Sequence, residues 1–289
     1  MNESAVTAEV VRRCVGEPQA RVALCHGLGA GPALWGPLAQ LLPDTVETWA
    51  FGFPWGAGGD GTWAMQRHSR VWLDRALGLM PAPPDVVVAH SFGANVLLDR
   101  LVTDGPVGCR GLVLFSPFYR PAPDRFDWGT LRHYVVDFDD LIRAGIVARR
   151  GGPPPAAELL EAMVAKVRDR IGPYGWLRFF DLFTETPFLD LSRVDVPCLV
   201  VGGELDTASY PADSAGLAAA LPDARLEILP GCGHFGLVDN PVPAAALVLG
   251  FLDRLGLTAV PPEAAVAPPG TAVPPETVRL GGRDPQPAT

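Results

Sequence analysis

Lysine is almost missing from this 289-residue chain: of its 23 basic residues only Lys166 is a lysine, and the rest are arginine. Set against 32 acidic residues, they leave a formal net charge of −9. A chain of that sign repels phosphate backbones and anionic lipid surfaces, so neither nucleic acid nor a membrane is expected as a partner. No apolar run approaches the roughly 20 residues that a membrane-spanning helix requires. The opening MNESAVTAEVVRR lacks the basic-then-apolar pattern of a secretory leader, and the expectation is a cytoplasmic protein. The five cysteines (14, 25, 109, 198 and 232) form no CxxC, and no cysteine–histidine set has zinc-ligand spacing. Free buried thiols are expected, with no disulfide, metal or cofactor. Apolar material, by contrast, is plentiful. Hydrophobic residues make up 48% of the chain and charged residues 19%, enough for one sizeable core.

Short apolar runs alternate with longer stretches of helical spacing, the pattern of a mostly parallel sheet flanked by helices. The expected strands are one or two within 5–15, then Arg21–Cys25, Val46–Phe51, Asp85–Ala89, Gly111–Phe115, Pro197–Gly202 and Arg225–Leu229. Helices are expected over about Leu34–Leu42, Trp63–Met80, from His90 to Leu101, Ala212–Leu221 and Pro243–Leu255. The alternation stops between Pro117 and Pro187, where Leu131–Arg150, Ala156–Ile171 and Trp176–Phe183 read as helices separated by GGPPP and GPYG. This gives an α/β core over 1–116 and 188–256 and a helical cap over 117–187. Residues 257–289 are Pro/Ala-rich, without hydrophobic periodicity, and are expected to be disordered.

The most informative stretch is Asp85–Leu101, in which a buried strand runs without a gap through Ala89-His90-Ser91-Phe92-Gly93 into a helix. A serine on so sharp a turn needs small residues two positions away on each side, and Ala89 and Gly93 supply them. It also lies at a helix start, where backbone N–H groups and the dipole favour negative charge. A serine hydroxyl becomes a useful nucleophile only with a base in hydrogen-bond reach, itself oriented by a carboxylate. His234, in the glycine-flanked turn after Arg225–Leu229, and Asp206, after Pro197–Gly202, occupy the matching positions. All three follow carboxyl ends of expected parallel strands, where ligand sites of open α/β sheets gather.

HGLG at 26–29, AHSFGA at 89–94, GGELD at 202–206 and GCGHF at 231–235 occur in that order, and together they make the chain resemble the α/β-hydrolase family over roughly Val10–Gly256. The first glycine of the family's GxSxG is replaced by Ala89, and FGFPWGAGGDGT replaces the loop usual after the second parallel strand. The resemblance implies a Ser91, Asp206 and His234 catalytic triad, and an oxyanion hole of two backbone N–H groups, by position those of Leu28 and Phe92. His26, Gly27, His90 and Trp128 are the candidate substrate contacts. Trp35, Trp55, Trp63 and Trp176 are also candidates for an apolar pocket, although aromatics beside a core are more often plain packing.

Each residue has a blander reading. Ser91 and Asp206 both fit ordinary helix N-caps, and Glu204 and Asp213 lie close enough to stand in for Asp206. The joint placement favours catalysis: a serine hydrolase cleaving an ester or thioester of a small to medium organic substrate through an acyl-enzyme. Because the fold does not fix the chemistry, two alternatives stand beside it. One is a non-hydrolytic enzyme of the same fold, such as a lyase or cyclase, or a carbon–carbon bond hydrolase. The other is an inactive binding protein.

Overall fold

The computed structural model describes residues 6–59, 61–150 and 152–258; apart from its first two positions, the tail expected to be disordered lies outside them. Among the described residues one seven-stranded sheet forms the centre, in the spatial order β1-β3-β2-β4-β5-β6-β7. Its strands are β1 (Thr7–Arg12), β2 (Ala20–Cys25), β3 (Val46–Gly52), β4 (Val86–His90), β5 (Gly111–Phe115), β6 (Cys198–Gly203) and β7 (Ala224–Leu229). Only β1 runs antiparallel, against β3; every other neighbouring pair is parallel. Both faces of such a sheet are covered, which is why β4 (VVVAH) and β5 (GLVLF) are apolar almost throughout and buried at every position.

Side-chain alternation along the strands separates two cores. Ala23, Val87, Ala89, Leu114 and Val200 face one way, onto α2 (Arg70–Leu77), α3 (Phe92–Asp104) and α7 (Pro211–Ala220). Val22, Leu24, Val86, Val88, Val113 and Val201 face the other way, onto α1 (Gly36–Leu41) and α9 (Pro241–Arg254). The short α8 (Gly236–Asp239) leads into α9.

Between β5 and β6 lie α4 (Trp128–Val136), α5 (Phe138–Arg150) and α6 (Ala157–Glu185). Ile142 and Ile146 of α5 pack with Leu160, Val164, Val167 and Ile171 of α6 into a small core of their own. Three expected helices take a different form. Residues 131–150 divide at Asp137 into α4 and α5. Residues 156–171 and 176–183 run on as α6, broken only at Gly172 (φ 66°) just before Pro173. Trp63–Met80 is not one helix: a 3-10 turn, Gly61–Met65, precedes α2, because Trp63 is drawn into the core edge-on to Trp55 and Phe92. All five cysteines are free thiols, and no helix among the described residues is long and apolar enough to cross a membrane.

The segment after β5 is tied to the core by polar groups. Arg120 donates to Asp213 of α7, both side chains being buried, and its guanidinium lies over the Phe183 ring. Burial pushes the Asp213 carboxyl up to about 6 against the pull of Arg120. Ser209 Oγ donates to the Pro117 carbonyl and Tyr134 to that of Ala208, both at 2.5 Å. Removing one member of a buried pair strands the other, so Arg120→Met is expected to cost about 3–5 kcal/mol in urea unfolding, and Arg120→Met with Asp213→Leu to recover most of it. Equal losses in the two variants would show that the pair itself, and not the stranded carboxylate, carries the effect.

Candidate active site

β4 ends at His90, and α3 begins at Phe92. The one residue between them, Ser91, has φ 56° and ψ −129°. A non-glycine residue in that region is strained, and only a tightly determined surround holds it there. The surround is tight. A Cβ on Gly93 would come within 2.8 Å of the Cys25 and His26 carbonyl oxygens, and one on Gly27 within 2.8 Å of the Ser91 Cβ. The loop after β2 thus packs directly on the turn that carries the serine, with room for hydrogen only. Ser91 makes no side-chain cap to α3, which removes the N-cap reading.

Ser91 Oγ lies 2.9 Å from His234 Nε2, and His234 Nδ1 lies 2.9 Å from Asp206 Oδ2. All three residues are buried. Asp206 Oδ1 accepts from the backbone N–H groups of Ala208 and Ser209, so the carboxylate holds its own turn with one oxygen and faces the imidazole with the other. Burial opposes its ionisation, but the charge and hydrogen bond of His234, with these two N–H groups, bring its pKa below the ordinary carboxylate value. The two nearby acids are engaged elsewhere: Glu204 accepts from Gly231 N–H, and Asp213 holds Arg120. A hydroxyl–imidazole–carboxylate chain of this geometry is one that draws the proton from a serine and makes it nucleophilic.

The backbone N–H groups of Leu28 and Phe92 have no hydrogen-bond partner among the described residues, and both residues line the cleft beside Ser91. Two further histidines brace the site. His26 is fully buried; its Nδ1–H donates to the Gly27 carbonyl, and its Nε2 accepts from Phe53 N–H. His90 Nε2–H donates to the His234 carbonyl at 2.9 Å, fixing the backbone that carries the imidazole. Burial above all pushes His26 down to about 4, and burial and the neighbouring His234 push His90 down to about 3. Both are therefore neutral in the fold at physiological pH.

Over the serine lies a narrow cleft with a cavity volume of about 30 Å³, room for roughly two waters. Its walls are mostly apolar: Phe118, Tyr134, Phe138, Leu141, Ile142, Val167, Trp176, Phe179 and Phe235. Asn95, one turn into α3, exchanges hydrogen bonds with both the N–H and the carbonyl of Phe118 and seats that ring against His234. Of the expected substrate contacts, His90 lines the cleft, whereas His26 and Gly27 lie behind it. Trp128 does not reach it: at the first position of α4 its ring points outward and is 85% exposed. Trp35, Trp55 and Trp63 are core residues, and of the five tryptophans expected as pocket candidates Trp176 alone faces this cleft. Sequence reasoning missed Asn95, Phe118 and Phe179, and also Arg149, which lines the cleft; no local pattern marks any of them.

A model described as the alpha/beta hydrolase family matches residues 22–247. This chain belongs to the alpha/beta hydrolase family. Among curated relatives, it is 28% identical over 244 residues to a pimeloyl-[acyl-carrier protein] methyl ester esterase of Aromatoleum aromaticum, covering 78% of this chain and 95% of that protein. It is also 28% identical over 269 residues to the polyketide synthase ThaQ of Burkholderia thailandensis, a match spanning 86% of this chain but 12% of that protein. Among solved structures, MenH from S. aureus superposes with a TM-score of 0.64 at 16% identity, covering 88% of this chain and 99% of that one; this likeness is one of fold. The family and the esterase relative support a hydrolase in general terms.

The buried neutral histidines of this alpha/beta hydrolase give a pH test. Unfolded, each titrates near 6.5, so at pH 5 unfolding takes up about two protons through His26 and His90. Stability therefore rises with pH from about 4 to 6.5, and each residue forfeits on the order of 3 kcal/mol by pH 4. In urea unfolding from pH 4 to 7, His90→Phe is expected to flatten the slope at pH 5 by about 1.4 kcal/mol per pH unit. An unchanged slope would mean that His90 is protonated in the fold.

Proposed function

We propose that this protein is a serine esterase, cleaving an ester or thioester of a small to medium, largely apolar acyl substrate through an acyl-enzyme. The observation that carries the reading is the pair of 2.9 Å contacts linking Ser91, His234 and Asp206 beneath an apolar cleft. The esterase relative supports an acyl ester over the other bonds cleaved on this fold.

In the proposed cycle Ser91 Oγ attacks the acyl carbon while its proton passes to His234 Nε2. The carbonyl electrons move onto oxygen, and the free N–H groups of Leu28 and Phe92 stabilise that oxyanion, each worth a few kcal/mol in the transition state. The intermediate collapses, the bond to the leaving oxygen or sulfur breaks, and His234 returns its proton to the departing alcohol or thiol. Water then attacks the acyl–Ser91 ester, giving one proton to His234. The second collapse releases the carboxylic acid and returns that proton to Ser91 Oγ. Asp206 keeps Nδ1 protonated, so that Nε2 faces the serine as acceptor, and stabilises the imidazolium. The apolar walls exclude water and strengthen these charge interactions. The small cavity means that an acyl chain enters by displacing cap side chains.

Incubation with 4-nitrophenyl hexanoate is expected to release nitrophenol, and Ser91→Ala to lower kcat by at least about 10⁴-fold with folding intact. A fluorophosphonate is expected to label Ser91 in the unaltered protein, and His234→Ala to abolish labelling. Equal product release by the unaltered protein and Ser91→Ala would end the reading.

A further inference from the structure

The cleft over Ser91 contains one permanently charged side chain, Arg149, in the last turn of α5; no aspartate, glutamate or lysine lines it. Arg149 makes no hydrogen bond or ion pair with any described residue, whereas Arg143, Arg168 and Arg178 elsewhere on the cap each hold a carboxylate. Ile142, Gly145 and Arg149 share one face of α5, at i, i+3 and i+7, and all three line the cleft. Gly145 sits so close to the Phe235 ring that a Cβ there would fall 2.6 Å from it. That contact anchors the helix beside His234 and leaves the guanidinium one turn farther on. Arg149 is near enough to the oxyanion-loop side to lower the pKa of His26 slightly, after burial and the Gly27 hydrogen bond have acted. Burial also pulls Arg149 itself below the ordinary arginine value, although a guanidinium keeps its charge at any physiological pH. Arg149 is half-buried and its guanidinium has no counter-ion among the described residues, so an anionic group entering the cleft meets a partly desolvated, unpaired cation.

We propose that Arg149 is the specificity-determining residue of this cleft, receiving an oxyanion of the substrate, a carboxylate or a phosphate, borne at a distance from the scissile carbonyl on either its acyl or its leaving-group side. The proposal rests on the esterase reading of the same cleft. A guanidinium offers parallel donors to either anion. The substrate class is then an acyl ester or thioester with one negative charge set apart from the reacting bond.

Two matched pairs test it: 4-nitrophenyl hexanoate against the mono-4-nitrophenyl ester of adipic acid, and hexanoyl-pantetheine against hexanoyl-pantetheine 4′-phosphate. The quantity read is the ratio of kcat/KM, charged over neutral. In at least one pair this ratio is expected to exceed one and to fall at least tenfold in Arg149→Gln, chiefly through KM, while Arg149→Lys keeps most of it. The responding pair tells carboxylate from phosphate. Ratios that agree within twofold between the unaltered protein and Arg149→Gln in both pairs would overturn the proposal. Calorimetry on the Ser91→Ala protein with adipate and with inorganic phosphate reads the same site without turnover. Binding that disappears on adding Arg149→Gln sustains the oxyanion site even if no ester is cleaved. Absence of both binding and turnover refutes it together with the esterase reading.

Discussion

A serine held at φ 56° between a buried strand and a helix is the constraint on which the rest of the site depends. The strain is tolerable only because everything around it is fixed. β4 lies between β2 and β5 in the middle of the sheet, α3 is packed on the core beneath, and the loop after β2 closes against the turn with two glycines at the points of contact. Relaxing any one of these would let Ser91 fall back to an ordinary helix start, with its hydroxyl turned to cap backbone N–H groups. The same turn that aims the hydroxyl leaves the Phe92 N–H without a partner among the described residues, so the proposed nucleophile and one proposed oxyanion donor share a single backbone feature.

Around the Ser91–His234–Asp206 chain, the two bracing histidines carry no charge. His26 and His90 are buried beside the chain of donors and acceptors, and both bond backbone: His26 shapes the loop bearing the Leu28 N–H, and His90 fixes the carbonyl of His234. In the proposed cycle, a cation in either place would repel the imidazolium that His234 becomes on taking a proton. Burial keeps both neutral, and charge separation is left to Asp206, which is braced by two N–H donors. The cost is stability at acid pH, the ordinary penalty of burying a titratable base.

The sequence made the sheet and the Ser91 turn legible for a physical reason. Parallel strands covered on both faces are apolar throughout, so Val86–His90 and Gly111–Phe115 stand out as runs, and the residues just past their ends fall at one rim. The positions of His234 and Asp206 were readable in the same way. The cap was less so. Its helices are apolar on the side that forms their own small core and again on the side that faces the cleft, so amphipathic spacing does not separate the two uses. Trp128 illustrates the failure: large and aromatic, it lies at the start of α4 and points to solvent, while Phe179, unremarked in the sequence, sits in the wall. The 3-10 turn around Trp63 escaped for a related reason, since its aromatic stack with Trp55 and Phe92 is a long-range contact that local periodicity does not encode.

The cap also reaches the polar end of the site. The Tyr134 hydroxyl, in the cleft wall, bonds the carbonyl of Ala208, and Ser209 bonds that of Pro117; the N–H groups of the same two residues hold Asp206. A displacement of α4 is thus felt directly at the turn that positions the carboxylate. α5 touches the other end through Gly145 against Phe235, next to His234. A chain that spreads the cap to enter the cleft therefore strains both supports of the imidazole, and one that fills the space without spreading it leaves them in place. If a substrate is cleaved here as proposed, the way the cap accommodates it and the setting of the hydroxyl–imidazole–carboxylate chain are coupled through these contacts.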